Sequence, residues 1–245
     1  MTTHKKRTKT AKIMAIKDNY DEIIRRIAEA AERSGRSLED ITLVAVTKTH
    51  GADEINEVID AGATDIGENR VQEMLEKYDS VKDVRWHLIG HLQTNKVKNV
   101  IGKVVMIHSV DSLKLAKEID KRSEAAGLVT DILIEINSAM EETKSGIDSA
   151  ELKELCEEIC RECEHVRIRG LMCIPPIAID PEDARPYFIE AAALFKEMQS
   201  WGLPIGKFSP DELSMGMSGD FEVAIEEGAT IVRVGSSIFG PRNYR

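Results

Sequence analysis

Short apolar runs alternate along the chain with longer stretches whose apolar positions recur every three to four residues. Ile41-Thr-Leu-Val-Ala-Val46 is β-branched and nearly continuous in apolar character, which predicts a strand covered on both faces. Comparable runs stand at 64–66, 86–89, 104–108, 132–136, 168–174, 213–215 and 231–234. Helical patterns separate them, at 51–61, 68–79, 92–99, 112–126, 149–163, 181–201 and 218–228. An amphipathic helix from Ile13 to Arg33 precedes the first strand and ends on Ser34-Gly35-Arg36-Ser37. Strict alternation implies a parallel sheet, because parallel neighbours need a crossover. Eight such units favour closure, so the expected fold is α/β: a single TIM-type (β/α)8 barrel with an extra N-terminal helix. An open doubly wound sheet is the alternative, but no G-x-G-x-x-G follows the first strand.

Length agrees with a barrel: 245 residues stand close to the roughly 250 typical of the fold. Residues 13–245 are read as one domain, since Pro175-Pro176 suits a loop leaving the sixth strand better than a linker. Residues 1–12, with Lys5, Lys6, Arg7, Lys9 and Lys12, are read as a basic flexible tail. They are too poor in apolar residues for a signal peptide or a membrane span. A net charge of −10 argues against a nucleic-acid surface. Four cysteines without a secretory signal suit the reducing cytoplasm. Cys156, Cys160 and Cys163 have the C-x3-C-x2-C spacing of radical SAM cluster ligands, yet they continue the apolar stripe of Leu152, Leu155 and Ile159. They are therefore expected in the core as small hydrophobes, and no metal site is read.

In a barrel the chemistry sits at the carboxyl ends of the strands. Lys48 directly follows the first run, where desolvation disfavours an ammonium and would suit an imine-forming amine. Arg233 stands inside the eighth run and needs an anion or ring acceptor if buried. Gly235 and Ser236, backed by Ser237, follow it as a phosphate cradle, and Ser214 closes the seventh run. Asn69 follows the second strand, and His87 and His91 belong to the third strand and its loop. Asn137, Met140, Lys144 and Met172 are weaker candidates.

Five colinear strings carry a resemblance. Ala45-Val-Thr-Lys-Thr49, Gly67-Glu-Asn-Arg-Val-Gln-Glu73, Trp86-His-Leu-Ile-Gly-His-Leu-Gln93, Ser214-Met-Gly-Met-Ser218 and Arg233-Val-Gly-Ser-Ser-Ile-Phe-Gly240 together resemble the pyridoxal phosphate homeostasis proteins, across about residues 16–242. The family's fold is the barrel of alanine racemase. The resemblance implies pyridoxal 5'-phosphate (PLP) held covalently on Lys48, Arg233 facing the pyridine nitrogen, and Ser214, Gly235 and Ser236 around the phosphate. Asn69 and His87 would line the pocket. It implies a PLP carrier rather than an enzyme, with PLP-dependent apo-enzymes as candidate acceptors. An amino-acid racemase is the alternative, but it needs a second base. Tyr20 and Tyr78 fall in helical patterns, Tyr187 near a helix start and Tyr244 at the extreme end. Without the racemases' further domain a monomer is expected.

Overall fold

The computed structural model describes residues 2–138, 146–176 and 179–240, with side chains from residue 15 onward. Met140, Lys144 and Tyr244 lie outside the described residues. Eight parallel strands close into a barrel in sequential order: β1 Thr42–Val46, β2 Asp65–Glu68, β3 Arg85–Leu88, β4 Met106–Val110, β5 Thr130–Ile136, β6 Val166–Cys173, β7 Phe208–Met217 and β8 Ile231–Val234. Closure is made by β1 and β8, with Thr42 opposite Ile231 and Val44 opposite Arg233. The helices are α1 Thr2–Arg33, α2 Ala52–Asp60, α3 Val71–Tyr78, α4 Leu113–Ala126, α5 Leu152–Glu162, α6 Arg185–Met198, α7 Phe221–Glu226 and α8 Ser236–Phe239.

Alternate residues of each strand face opposite sides, and the two faces fill differently. Leu43, Ala45, Ile66, Leu88, Ile107, Ile132, Ile134 and Val232 face the helices and belong to the main core. Val44, Val46, Ile89, Met106, Leu133, Met172 and Ile231 form a second, smaller cluster within the barrel. Asp65, His87, His108, Ser214 and Arg233 are also buried, so a polar layer is built into this interior.

The strands expected from the apolar runs are present, with shifted ends. β7 begins at Phe208 rather than at 213 and reaches Met217, because Ser209-Pro-Asp-Glu212 is polar where it meets solvent and the apolar signal begins only at Leu213. The stretch at 92–99 is a 3-10 turn, Thr94–Asn99, not an α-helix. The backbone shows no break at residue 13, for α1 runs on from Thr2.

α1 is part of the barrel's packing. Ile16, Tyr20, Ile23, Ile27, Ala30 and Ala31 repeat at helical spacing and are buried. Arg26 makes a double contact with Glu222 at 2.6 and 3.1 Å, and Asn19 Nδ2 donates to the Ile238 carbonyl at 2.9 Å. Arg36 donates to the carbonyls of Ala229 and Ile225. Cys156, Cys160 and Cys163 are free thiols packed in the core, and burial pushes Cys163 up to about 11.

Ile27 is fully buried, so Ile27→Ala is expected to cost about 2–5 kcal/mol. Urea denaturation should show this as a lower midpoint of one transition; an unchanged midpoint would mean that α1 is not part of the cooperative core.

Candidate functional site

At the carboxyl ends of the strands lies a cavity of about 250 Å³, bordered by Lys48, Asn69, Arg233, Gly235 and Ser236 among others. Five of the residues expected from sequence are thus brought together. His87 and Ser214 are not among the lining residues; both are buried beneath the cavity. They were read one layer too shallow. Just past β3 the residue two positions on from His87, Ile89, reaches the cavity, and just past β7 Ser218 does so, because β7 runs to Met217 rather than stopping at Met215. His91 is exposed and lies 3.9 Å from Asp111. Met172 belongs to the interior apolar cluster, and Asn137 follows β5.

The segment carrying Lys48 is a tight turn held from below. Thr49 has φ +69°, the one positive φ of a non-glycine residue among the described residues, a conformation that costs on the order of 1 kcal/mol or more for an L-residue. Its amide donates to Glu73. The Lys77 ammonium, buried, donates to the carbonyls of Thr47 and His50 at 3.0 Å each, and so brackets Lys48 and Thr49. Glu68, fully buried, pairs with Lys77 at 2.6 Å and accepts from the Thr47 hydroxyl. Burial raises the Glu68 carboxyl, while the Lys77 charge and its hydrogen bond pull the other way. Beyond the turn, His50 stacks on Phe239 at 4.5 Å and meets Glu54 at 3.0 Å.

Arg233 lies across the cavity floor. Its Nη2 donates to the Cys173 carbonyl at 2.9 Å and its Nη1 to Ser214 Oγ at 2.5 Å. Burial pushes the guanidinium below its usual range, and the neighbouring Cys173, Asp220 and Glu135 oppose that shift. Gly235 sits where a Cβ would come within 3.1 Å of the Val46 carbonyl, so the β8 turn packs its backbone directly on β1 beside Lys48. Its amide donates to Ser218 Oγ at 3.1 Å, which ties the loops after β7 and β8 together. Gly90 does the same for Asn69: a Cβ there would lie 2.4 Å from the Asn69 carbonyl oxygen. Asn69 Oδ1 is buried without a hydrogen-bond partner.

Lys77, Glu68 and Ser218 were not picked out by sequence reasoning. Glu68 and Ser218 stood inside the quoted strings. Lys77, one helical turn beyond Glu73, carried only the i,i+4 spacing of an ordinary surface pair.

Residues 15–243 match the family described as the alanine racemase N-terminal domain. The pyridoxal phosphate homeostasis protein of Aquifex aeolicus is 48% identical over 232 residues, which cover 93% of this chain and 98% of that protein. Among solved structures, an unknown protein from Bifidobacterium adolescentis is similar with a TM-score of 0.87 at 38% identity, covering 94% of this chain and 96% of that one. PipY of Synechococcus elongatus, solved with PLP bound, is similar with a TM-score of 0.76 at 34% identity, covering 89% of this chain and 100% of that one.

Removing one partner of a buried ion pair costs about 3–5 kcal/mol, so Lys77→Met should destabilise the protein by that order. The double variant Lys77→Met, Glu68→Leu should recover part of the loss in guanidinium denaturation; additivity of the two single effects would show that Lys77 and Glu68 are not coupled.

Proposed function

The chain belongs to the pyridoxal phosphate homeostasis protein family, and from that premise we propose that it binds PLP in the cavity at the strand exits, held covalently through the Lys48 amine. The observation that carries the reading is convergence. An amine on β1's exit, a cation on β8 and a glycine-serine turn all border one cavity of about 250 Å³. When bound, PLP supplies an aldehyde for an amine and a ring that withdraws electrons.

The residues present fit that group. Lys48 offers the amine, and the Lys77 clamp fixes the turn from which it extends. Gly235 and Ser236, with Ser218 beside them, offer amides and hydroxyls for the phosphate. Asn69 Oδ1, buried and unpartnered, offers an acceptor to a hydroxyl on the ring. Arg233 would face the ring nitrogen as a donor. A guanidinium stays charged and yields no proton, so the lone pair opposite it would stay unprotonated.

That last feature supports a reservoir rather than a catalyst, because an unprotonated ring is the weaker sink for carbanion electrons. The described tyrosines give further support, for none of them is among the residues that line the cavity. Tyr20 packs in the core and burial pushes its hydroxyl up to about 12, while Tyr78 lies against Trp86 with ring centroids 5.4 Å apart. Tyr187 stands on α6. The reading extends to a cytoplasmic monomer whose acceptors are PLP-dependent apo-enzymes. Free, buried cysteines support a reducing compartment, and no described helix is long and apolar enough to cross a membrane.

Purified protein incubated with PLP should gain a visible absorbance that borohydride converts to a stable adduct, and peptide mapping should find the adduct on Lys48. Lys48→Ala should abolish both. An adduct on Lys77 or another lysine would overturn the assignment, and fast production of D-amino acids by the wild type would overturn the reservoir reading. Arg233→Met should weaken PLP binding by about tenfold or more while trapping persists, the scale expected for a lost hydrogen bond from a charged group.

A further inference from the structure

Below the cavity, buried side chains form one hydrogen-bonded line through the barrel interior. Arg233 Nη1 donates to Ser214 Oγ at 2.5 Å, and Ser214 Oγ lies 3.0 Å from His108 Nδ1. His108 Nε2 lies 2.9 Å from His87 Nδ1, the two rings meeting edge to face at 76°. His87 Nε2 lies 2.7 Å from Asp65 Oδ1. The line draws one residue each from β8, β7, β4, β3 and β2, and all five are almost wholly buried. At its far end Asp65 Oδ2 accepts from Arg85 at 2.6 Å and from Thr64 at 2.7 Å; the Arg85 side chain is 59% exposed.

The chemistry of the atoms fixes a direction. Burial favours a neutral Asp65, but hydrogen bonds from His87, Arg85 and Thr64 outweigh it and hold the carboxyl down at about 2. An ionised carboxylate only accepts, so the His87 Nε2 position carries hydrogen. With that as the single hydrogen of the His87 ring, the state the line requires, Nδ1 accepts and His108 Nε2 donates. Burial, with the Arg233 charge adding to it, keeps His108 well below the usual histidine range, so it holds one hydrogen, placed on Nε2, and accepts at Nδ1. Ser214 therefore donates to His108 and turns a lone pair to Arg233. Every donor in the line points from the guanidinium toward the carboxylate, and a chain polarised in one sense between opposite charges strengthens each of its bonds.

We propose that Ser214 and His108 are positioning residues for Arg233, fixed in turn by His87 and Asp65. Together they hold the guanidinium so that its remaining N–H groups face the cavity. This inference rests on the PLP reading above, and gives His87 and Ser214 a role beneath the cofactor in place of contact with it. The Cys173 carbonyl anchors the other end of the guanidinium, so the two anchors leave it little freedom to turn. His108 takes up the Ser214 hydrogen, which leaves the hydroxyl's lone pairs for Arg233.

Two measurements decide it. In protein labelled with 15N-histidine and free of PLP, His87 and His108 should both show the Nε2–H tautomer near neutral pH. Hydrogen on His108 Nδ1, or two hydrogens on either ring, would overturn the proposal. In PLP titrations followed by absorbance, Ser214→Ala and His108→Phe should each weaken binding on the order of tenfold and move the band of the bound chromophore, with borohydride trapping on Lys48 retained. His108→Gln, whose amide can accept at one atom and donate at the other, should restore most of the affinity. Ser214→Ala, which removes one oxygen, keeps the test open should His108→Phe fail to fold; wild-type affinity and spectrum in that variant would overturn the proposal. A wild-type protein that takes up no PLP would instead sink the functional reading, and the tautomers would still decide whether the line is built as described.

Discussion

A guanidinium buried inside a closed barrel is the constraint to which the rest of the interior answers. Taking such a charge out of water costs several kcal/mol even after the surroundings relax, so acceptors and opposing charge must be built around it. The Cys173 carbonyl and Ser214 hydroxyl supply the direct acceptors. Asp220 and Glu135 add negative potential, and the imidazole line ends on Asp65. This accounts for a polar layer in an interior otherwise filled by Val44, Val46, Ile89, Met106, Leu133, Met172 and Ile231. Each group below Arg233 is in turn committed to a neighbour.

The opposite wall obeys a different logic. Lys48 emerges from a turn with an unfavourable backbone conformation at Thr49, and that conformation persists because β2 and α3 overdetermine it. Glu68 ends β2, while Glu73 and Lys77 stand one helical turn apart on α3. Their spacing lets two carboxylates and one ammonium seize both backbone ends of the turn. A string of sequence that looked like pocket lining serves, for the most part, to hold the turn that carries Lys48.

The fold was legible because the barrel's outer face is written in apolar runs at regular intervals, and each strand from Ile41 onward announced itself that way. Lys48, Asn69, Arg233, Gly235 and Ser236 were legible because polar residues that close an apolar run in a barrel have few other reasons to be there. Depth was not legible. His87 and Ser214 share the inward face with cavity residues, and only the true strand ends, Leu88 and Met217, tell which layer they occupy. Lys77 was hidden for a related reason. A lysine on an amphipathic helix reads as solvated, and its burial depends on two carbonyls that the turn after β1 brings from 30 and 27 residues away.

The seam between β1 and β8 has a consequence for biosynthesis. Thr42 pairs with Ile231, and Asn19 of α1 reaches the carbonyl of Ile238, so the earliest and latest elements to leave the ribosome complete each other. Until β8 emerges, the nascent sheet has two unpaired edges and its amine faces no cation. Such edges invite pairing with other chains, which makes the interval before closure the vulnerable one for this polypeptide. The cavity at the strand exits is likewise unfinished until then, since Arg233 on β8 and Gly235 and Ser236 just after it form part of its border.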